Sequence, residues 1–394
     1  MRFLVAAFGD AGHAFPAIAL ARALRRRGHT VLVETWERWR DPVDAAGVLF
    51  TAAEEYQTFP PPPPGSPDQT SAADAALALL PLIEDFEPDV VITDILTLAP
   101  ALAAERAGVE RVTLIPHVYP VHEPGLPFFS VGMRPPRTAI GRAIWRASLP
   151  VLTSGLRRGR REMNATRAAV GLAPVDGLHA GISSKLTLVA TFPQLEYPRR
   201  WPAHVRVTGP MEFEVPSPAV ELPAGDAPLV LLAPSTAQDP ELRLVRTSLE
   251  ALAEEPVRVV ATTNRPESAD PPPPAPANAV VVDWLSYSQV MPQAALVICH
   301  GGHGTVARAL GAGVPVLCCP HVGDMAENAA RVAWAGAGLT VPWRLLGEAA
   351  LRAVVRRVIT DNAFARRAIE IAAWRRENDG AQRGAGWVER AAAG

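Results

Sequence analysis

Lysine is almost missing from this 394-residue chain: Lys185 is the only lysine among 38 basic residues. That bias speaks to genome composition and points to no chemistry. Cysteine is scarce as well. Cys299, Cys318 and Cys319 lie in apolar runs that read as buried strands, and adjacent Cys318 and Cys319 are poorly spaced for a disulfide. The net charge of −2 leaves no polyanion footprint, which argues against a nucleic-acid partner. No stretch reaches the ~18 apolar residues that a membrane helix needs, and the opening run from Met1 is closed by Asp10 before it could act as a signal peptide. A cytoplasmic protein without stable membrane insertion is expected.

What is present is an alternation of strand and helix patterns, repeated twice. The length suits two domains of ordinary size. In the first half the pattern predicts strands at Phe3–Ala7, Val31–Val33, Val90–Thr93 and Val112–Ile115, with helices at Phe15–Arg27, Ala72–Phe86 and Pro100–Ala107 between them. Such an order implies a parallel sheet covered on both faces. Pro16 is expected in the first turn of its helix. The five prolines from Pro60 to Pro64 cannot join a sheet and predict an extended flap. From His117 to Trp145 the chain is expected to be irregular and aromatic, and residues 155–172, with Arg157, Arg158, Arg160 and Arg161, read as a solvated basic helix. A linker at 213–227 then precedes a second alternation. Its strands are expected at Leu229–Ala233, Val257–Ala261 and Val280–Val282, with helices at Glu241–Glu254, 348–359 and 362–378.

The most informative stretch is 281–328. A buried strand from Leu296 to Cys299 runs into His300-Gly-Gly-His-Gly-Thr305 and a helix, so free backbone N–H groups gather at a helix start, which is an anion site. Gly301, Gly302 and Gly304 would let a large anion approach the backbone. Thr305 adds a hydroxyl and His300 a donor that becomes cationic when protonated. A diphosphate fits this inventory; a ligand-free glycine turn is the alternative. The spacing of His300, His303 and His321 near the cysteines matches no tetrahedral zinc pattern, so no metal is expected.

Trp284-Leu285 before this turn and Gly323-Asp324-Met325-Ala326-Glu327-Asn328 after it complete a series that resembles the nucleotide-sugar-dependent glycosyltransferases of family 1, of the bacterial natural-product and macrolide type. The resemblance implies an α/β GT-B fold, two Rossmann-like domains with parallel sheets facing across a cleft. It implies an acceptor-binding domain at 1–212, a nucleotide-sugar-binding domain at 228–375, and a C-terminal helix at 376–394 crossing back to the first domain. Donor contacts would come from Ser235, Thr236, Trp284, Leu285, His300, Gly302, Gly304, Thr305, Asp324 and Met325, with Trp284 on the base, His300 to Thr305 on the diphosphate and Asp324 on the sugar. Gly12-His13-Ala14-Phe15-Pro16 resembles the turn that carries the general base, and Asp94 the carboxylate that orients it. Read alone, His13 could be a solvated residue and Asp94 a helix cap. Phe59, His117, Phe128 and Phe129 would wall a hydrophobic acceptor pocket.

The implied reaction is inverting transfer of a hexose or deoxyhexose from a UDP- or dTDP-sugar to a hydrophobic small molecule such as a polyketide or phenol. The nucleotide sugar is a co-substrate and no cofactor is expected. The protein would be a monomer or a homodimer. Two residues depart from the family pattern. Arg308 stands where a ribose-binding Glu is usual, and Met325 where Gln usually follows the sugar-binding Asp. A nucleotide-sugar epimerase of the same fold and a non-catalytic relative are the competing readings; the hydrophobic stretch 117–145 disfavours the first and the presence of His13 with Asp94 the second.

Overall fold

The computed structural model describes residues 1–56, 70–235, 239–265, 271–321 and 323–393. The five-proline segment lies outside them.

Strands β1 (Arg2–Ala6), β2 (Thr30–Thr35), β3 (Leu49–Ala52), β4 (Val90–Asp94), β5 (Glu110–Ile115), β6 (Leu186–Val189) and β7 (Val205–Val207) form one sheet in the order β3-β2-β1-β4-β5-β6-β7. All its pairings are parallel. Strands β8 (Leu229–Ala233), β9 (Arg258–Thr262), β10 (Ala279–Val282), β11 (Leu296–Cys299), β12 (Val316–Cys318) and β13 (Gly338–Thr340) form a second parallel sheet in the order β10-β9-β8-β11-β12-β13. Both orders reverse direction beside the first strand of the unit, between β1 and β4 and between β8 and β11. A ligand crevice is expected at such a reversal, beyond the carboxyl ends of the strands.

The cores follow from the two-residue period of the strands. On β1, Phe3 and Val5 enter a cluster with Ile18, Leu20 and Leu24 of the helix Ala11–Arg26, while Leu4 enters the cluster on the other face with Ile83, Phe86 and Leu102. On β8, Leu229 and Leu231 face Leu310 and Ile371, and Val230 and Leu232 face Leu249 and Leu351. The helix Gly380–Ala392 packs against Ala11–Arg26 of the first unit, burying Ala385 and Val388 in that unit's core. Glu389 accepts from Arg27 at 2.6 Å and pairs with His29 at 2.7 Å.

Several boundaries differ from the sequence reading. The first helix begins at Ala11, because the Asp10 carbonyl already accepts from His13 and Ala14 at 2.9 and 2.8 Å. Pro16 is therefore inside the helix, and its missing N–H removes the donor four residues on from the Gly12 carbonyl. The helix expected over Ala72–Phe86 is two, Ala72–Ala78 and Leu80–Phe86; Pro81 cannot donate at the junction. Within the stretch expected to be irregular, Ala139–Ala147 is helical, with the Thr138 hydroxyl accepting from Gly141 N–H at 3.1 Å. The basic helix starts earlier than expected, at Leu149.

Glu34 on β2 is a buried carboxyl that the site described below does not use. It is 4 % exposed, its Oε2 has no hydrogen-bond partner, and burial, with Glu54 nearby, pushes its pKa up to about 8. The folded state thus holds a proton that the unfolded chain releases above its ordinary carboxyl pKa. Stability should fall as pH rises through the window from about 4.5 to about 8, with a slope approaching about 1.4 kcal/mol per pH unit. Urea denaturation of wild type and Glu34→Gln across this window checks it: the variant should lose that slope, and parallel curves would refute the assignment.

Candidate active site

The strand ends set the geometry. Ala6 on β1 is in register with Thr93 on β4, so the turn after β1 and Asp94 at the end of β4 lie side by side. Ala233 on β8 is in register with Cys299 on β11, which brings Ser235 beside His300 and the glycine turn. The two turns meet across one cleft with about 1450 Å³ of empty space, open solvent included.

On the first-domain side His13 Nδ1 lies 2.9 Å from Asp94 Oδ1 and 3.0 Å from Oδ2. Asp94 is buried, and Oδ2 also accepts from the backbone N–H groups of Phe8 and Leu96 at 3.5 and 3.4 Å. Asp94 therefore does not cap the next helix, Leu98–Arg106, whose flanking residue is Thr97. Burial by itself would lower the His13 pKa, but Asp94, by charge and hydrogen bond, and the more distant Asp324 and Asp10 outweigh it, so the imidazole sits above its ordinary value. His117 approaches His13 edge-on, with ring centroids 6.2 Å apart, and its Nδ1–H donates to the Val118 carbonyl, 2.8 Å away.

On the second-domain side the helix His303–Gly311 opens into the cleft with Gly302 as its flanking residue. The three glycines have different reasons. Gly301 has φ +89°, and a Cβ there would come within 2.9 Å of the Met325 carbonyl, so this glycine lets the turn pack closely on the Asp324 segment. At Gly302 a Cβ would fall 2.1 Å from His300 Nε2, so the missing side chain makes room for the imidazole. Gly304 alone of the three faces open space. His300 Nδ1 lies 3.4 Å from the Ala233 carbonyl, and burial lowers its pKa below the ordinary imidazole value, which favours the neutral ring.

Trp284, Ser235, Thr305, Asp324 and Met325 all line this cleft with His13, His117 and His300. Leu285 lines it from below and is otherwise core, 3 % exposed. Asp324 precedes the helix Met325–Ala335, and its Oδ2 accepts from Asn328 Nδ2 at 3.0 Å. Thr236 and Phe59 lie outside the described residues. Phe128 and Phe129 are not at the cleft wall. Phe129 stacks behind His117 at 5.6 Å, and Phe128 packs edge-on against His122 and Trp145 at 5.0 and 5.3 Å. An aromatic-rich loop does not reveal which rings turn inward and which pack the loop onto the domain.

The structure adds contacts the sequence reading left out. Asn264, past the carboxyl end of β9 and at φ +55°, donates to the Pro234 carbonyl at 2.8 Å and bonds the Tyr287 hydroxyl at 3.1 Å, bracing the turn that carries Ser235. Its position at a strand end was the available signal. His303 is buried at the cleft floor, where its Nε2 lies 3.3 Å from the Ala190 carbonyl of the first domain; burial, with His117 nearby, takes its pKa down to about 4. Arg308 also lines the cleft; it donates to the Phe213 carbonyl and lies over the rings of Phe15 and Tyr287. Glu214 from the linker accepts from Tyr287 N–H at 2.6 Å and lines the cleft nearby.

Two parallel-sheet domains that face each other with a histidine–aspartate pair on one rim and a glycine-turn helix start on the other define the GT-B architecture. The solved glycotransferase of kitacinnamycin has the same fold, with a TM-score of 0.78, 21% identity, and coverage of 99% of this chain and 98% of that one. Residues 246–379 match the family model described as erythromycin biosynthesis protein CIII-like, C-terminal domain. The 4'-demethylrebeccamycin synthase of Lentzea aerocolonigenes is 30% identical over an alignment of 399 positions that covers 92% of this chain and 93% of that protein. The O-mycaminosyltylonolide 6-deoxyallosyltransferase of Streptomyces fradiae is 30% identical over an alignment of 426 positions that covers 93% of this chain and 92% of that protein. The chain belongs to this family of natural-product glycosyltransferases and is a glycosyltransferase.

Proposed function

We propose that the protein transfers a hexose or deoxyhexose from a UDP- or dTDP-sugar to a hydroxyl of a hydrophobic small molecule, inverting the anomeric centre. The observation that carries this reading is the His13–Asp94 pair, 2.9 Å apart on the cleft that also receives the helix start at Gly302–Thr305. With Nδ1 held by Asp94, Nε2 is left to take the acceptor proton. The acceptor oxygen bonds to the anomeric carbon, the bond from that carbon to the diphosphate oxygen breaks, and its electron pair leaves with the nucleoside diphosphate. Asp94 stabilises the imidazolium that results. The leaving diphosphate would be met by the backbone N–H groups at the helix start, Thr305 and His300, whose pKa a neighbouring dianion would raise so that it becomes a charged donor. Trp284 would take the base and Asp324 the sugar.

A mass-spectrometric screen of mixed UDP- and dTDP-sugars against aromatic and polyketide-like acceptors tests the proposal. Acceptor-dependent release of nucleoside diphosphate with a glycosylated product is expected; epimerised donor without such a product would favour the epimerase instead. No metal is assigned a role, so the rate should persist in excess EDTA. Strict dependence on added magnesium or manganese would overturn that part.

Met325 bears on donor choice. It is 8 % exposed, lines the cleft, and belongs to none of the apolar core clusters. A thioether offers a sugar hydroxyl only a weak acceptor, where glutamine would offer a donor and an acceptor. An apolar site rejects a substrate with an extra hydroxyl only weakly, whereas one built to pair a hydroxyl rejects the deoxy analogue strongly. The naming of the Streptomyces fradiae relative as a 6-deoxyallosyltransferase supports a deoxysugar among the donors. Met325→Gln should shift the kcat/KM ratio toward the fully hydroxylated donor. An unchanged ratio would mean that Met325 does not touch the sugar.

A further inference from the structure

The segment from Pro124 to Arg161 carries eight arginines and no carboxylate, in a chain whose net charge is −2. The sequence marks only its second half as a solvated basic helix. The structure adds that five of the thirteen large apolar side chains exposed among the described residues lie here: Val131, Met133, Ile140, Ile144 and Val151. Ile140 and Ile144 are 75 and 63 % exposed, four residues apart on one face of Ala139–Ala147, a helix with no buried residue. Among the described residues, Arg134, Arg137, Arg142 and Arg146 make no ion pair.

We propose that the helix Ala139–Ala147 and the arginines around it form a peripheral docking face for an anionic lipid surface. An exposed apolar face rimmed by unpaired arginines is the composition of a helix lying in the plane of a membrane interface, where isoleucine enters the acyl boundary and arginine meets lipid phosphate. A second copy of the chain fits poorly, because a symmetric contact would set the four unpaired arginines against four more. A nucleic acid would pair the charges and leave the isoleucines in water. No helix among the described residues is long and apolar enough to cross a membrane, so the contact is peripheral. The face adjoins the acceptor side of the cleft. Trp145 on this helix packs on Phe128 at 5.3 Å, and the next residue, Phe129, stacks on His117 beside His13. Delivery of a lipophilic acceptor from the lipid to the cleft rests on the function proposed above; the docking face does not.

Co-sedimentation of the full chain with vesicles, without donor or acceptor, tests the surface alone. Binding to equimolar phosphatidylglycerol and phosphatidylcholine, absent with phosphatidylcholine alone and weakened by added salt, is expected. Each arginine at such a surface contributes about fivefold in affinity, so R142E/R146E should weaken binding by roughly 25-fold or more. I140S/I144S should weaken it as well. Thermal melts matching wild type establish that both variants fold, and R142Q/R146Q serves if charge reversal unfolds the chain. Wild type that ignores phosphatidylglycerol, or binding that survives both substitutions, overturns the proposal. So does a dimer in sedimentation velocity that I140S/I144S dissociates, since the face would then belong to a second copy.

Discussion

Replacing His13 with alanine is expected to slow sugar transfer by about 10²–10⁴-fold, the usual worth of a positioned general base, and to leave nucleoside diphosphate affinity nearly unchanged. The two effects separate because His13 belongs to the first domain, while the helix start, His300 and Thr305 belong to the second. Asp94→Asn should cost less, since the imidazole and its packing stay. That substitution also carries a pH signature. Asp94 is what lifts the His13 pKa above its ordinary value against the opposing effect of burial. A base must be unprotonated to work, so kcat/KM should rise with pH along a limb set by that raised value, and Asp94→Asn should move the limb to lower pH. Wild-type transfer by His13→Ala would remove His13 from the chemistry. An unmoved limb in Asp94→Asn would remove Asp94 from its control.

The parts of this arrangement that were legible in the sequence are those carried by contiguous residues. The run from Leu296 through Thr305 contains its own strand, turn and helix start, so its form as a unit needs no knowledge of the rest of the chain. The strand-helix alternation likewise dictates parallel sheets, because each return requires a crossover. Short edge strands such as Leu49–Ala52 and Gly338–Thr340 are too brief to show a period. The helix Ala139–Ala147 was missed for a different reason: prolines precede it, and its apolar face finds no core, so composition alone reads as loop. Least legible were contacts between the two domains. Nothing local in His303 announces the Ala190 carbonyl, and nothing in Arg308 announces Phe213. Even the glycine at 302 reads differently once His300 is seen to occupy the space a Cβ would take.

Arg331 is the interdomain contact with the largest expected effect on stability. On the helix Met325–Ala335, its Nε donates to Glu327 at 2.8 Å and its Nη1 to Glu196 at 2.9 Å and the Leu195 carbonyl at 3.0 Å, the last two in the first domain. The three side chains are 4, 2 and 4 % exposed for Arg331, Glu327 and Glu196. Burial pushes both carboxyl pKa values up, and Arg331 is the chief opposing influence on each. Removing the cation would leave two buried carboxyl groups to be neutralised or exposed, so Arg331→Met should cost about 3–5 kcal/mol, or roughly 6–20 °C in Tm for a unit of 150–250 residues. Most of that cost disappears if the acids go too. Replacing a buried ion network by neutral groups is often nearly free, so Arg331→Met with Glu196→Gln and Glu327→Gln should recover much of the loss. The same helix presents Met325 to the cleft at its first turn, which makes Arg331 the anchor of a site wall. The single variant, measured below its unfolding temperature, should therefore show a raised donor KM as well as a lowered Tm. A loss below about 1 kcal/mol in Arg331→Met would mean that water or neighbouring arginines replace the contact and that the two domains are held together elsewhere.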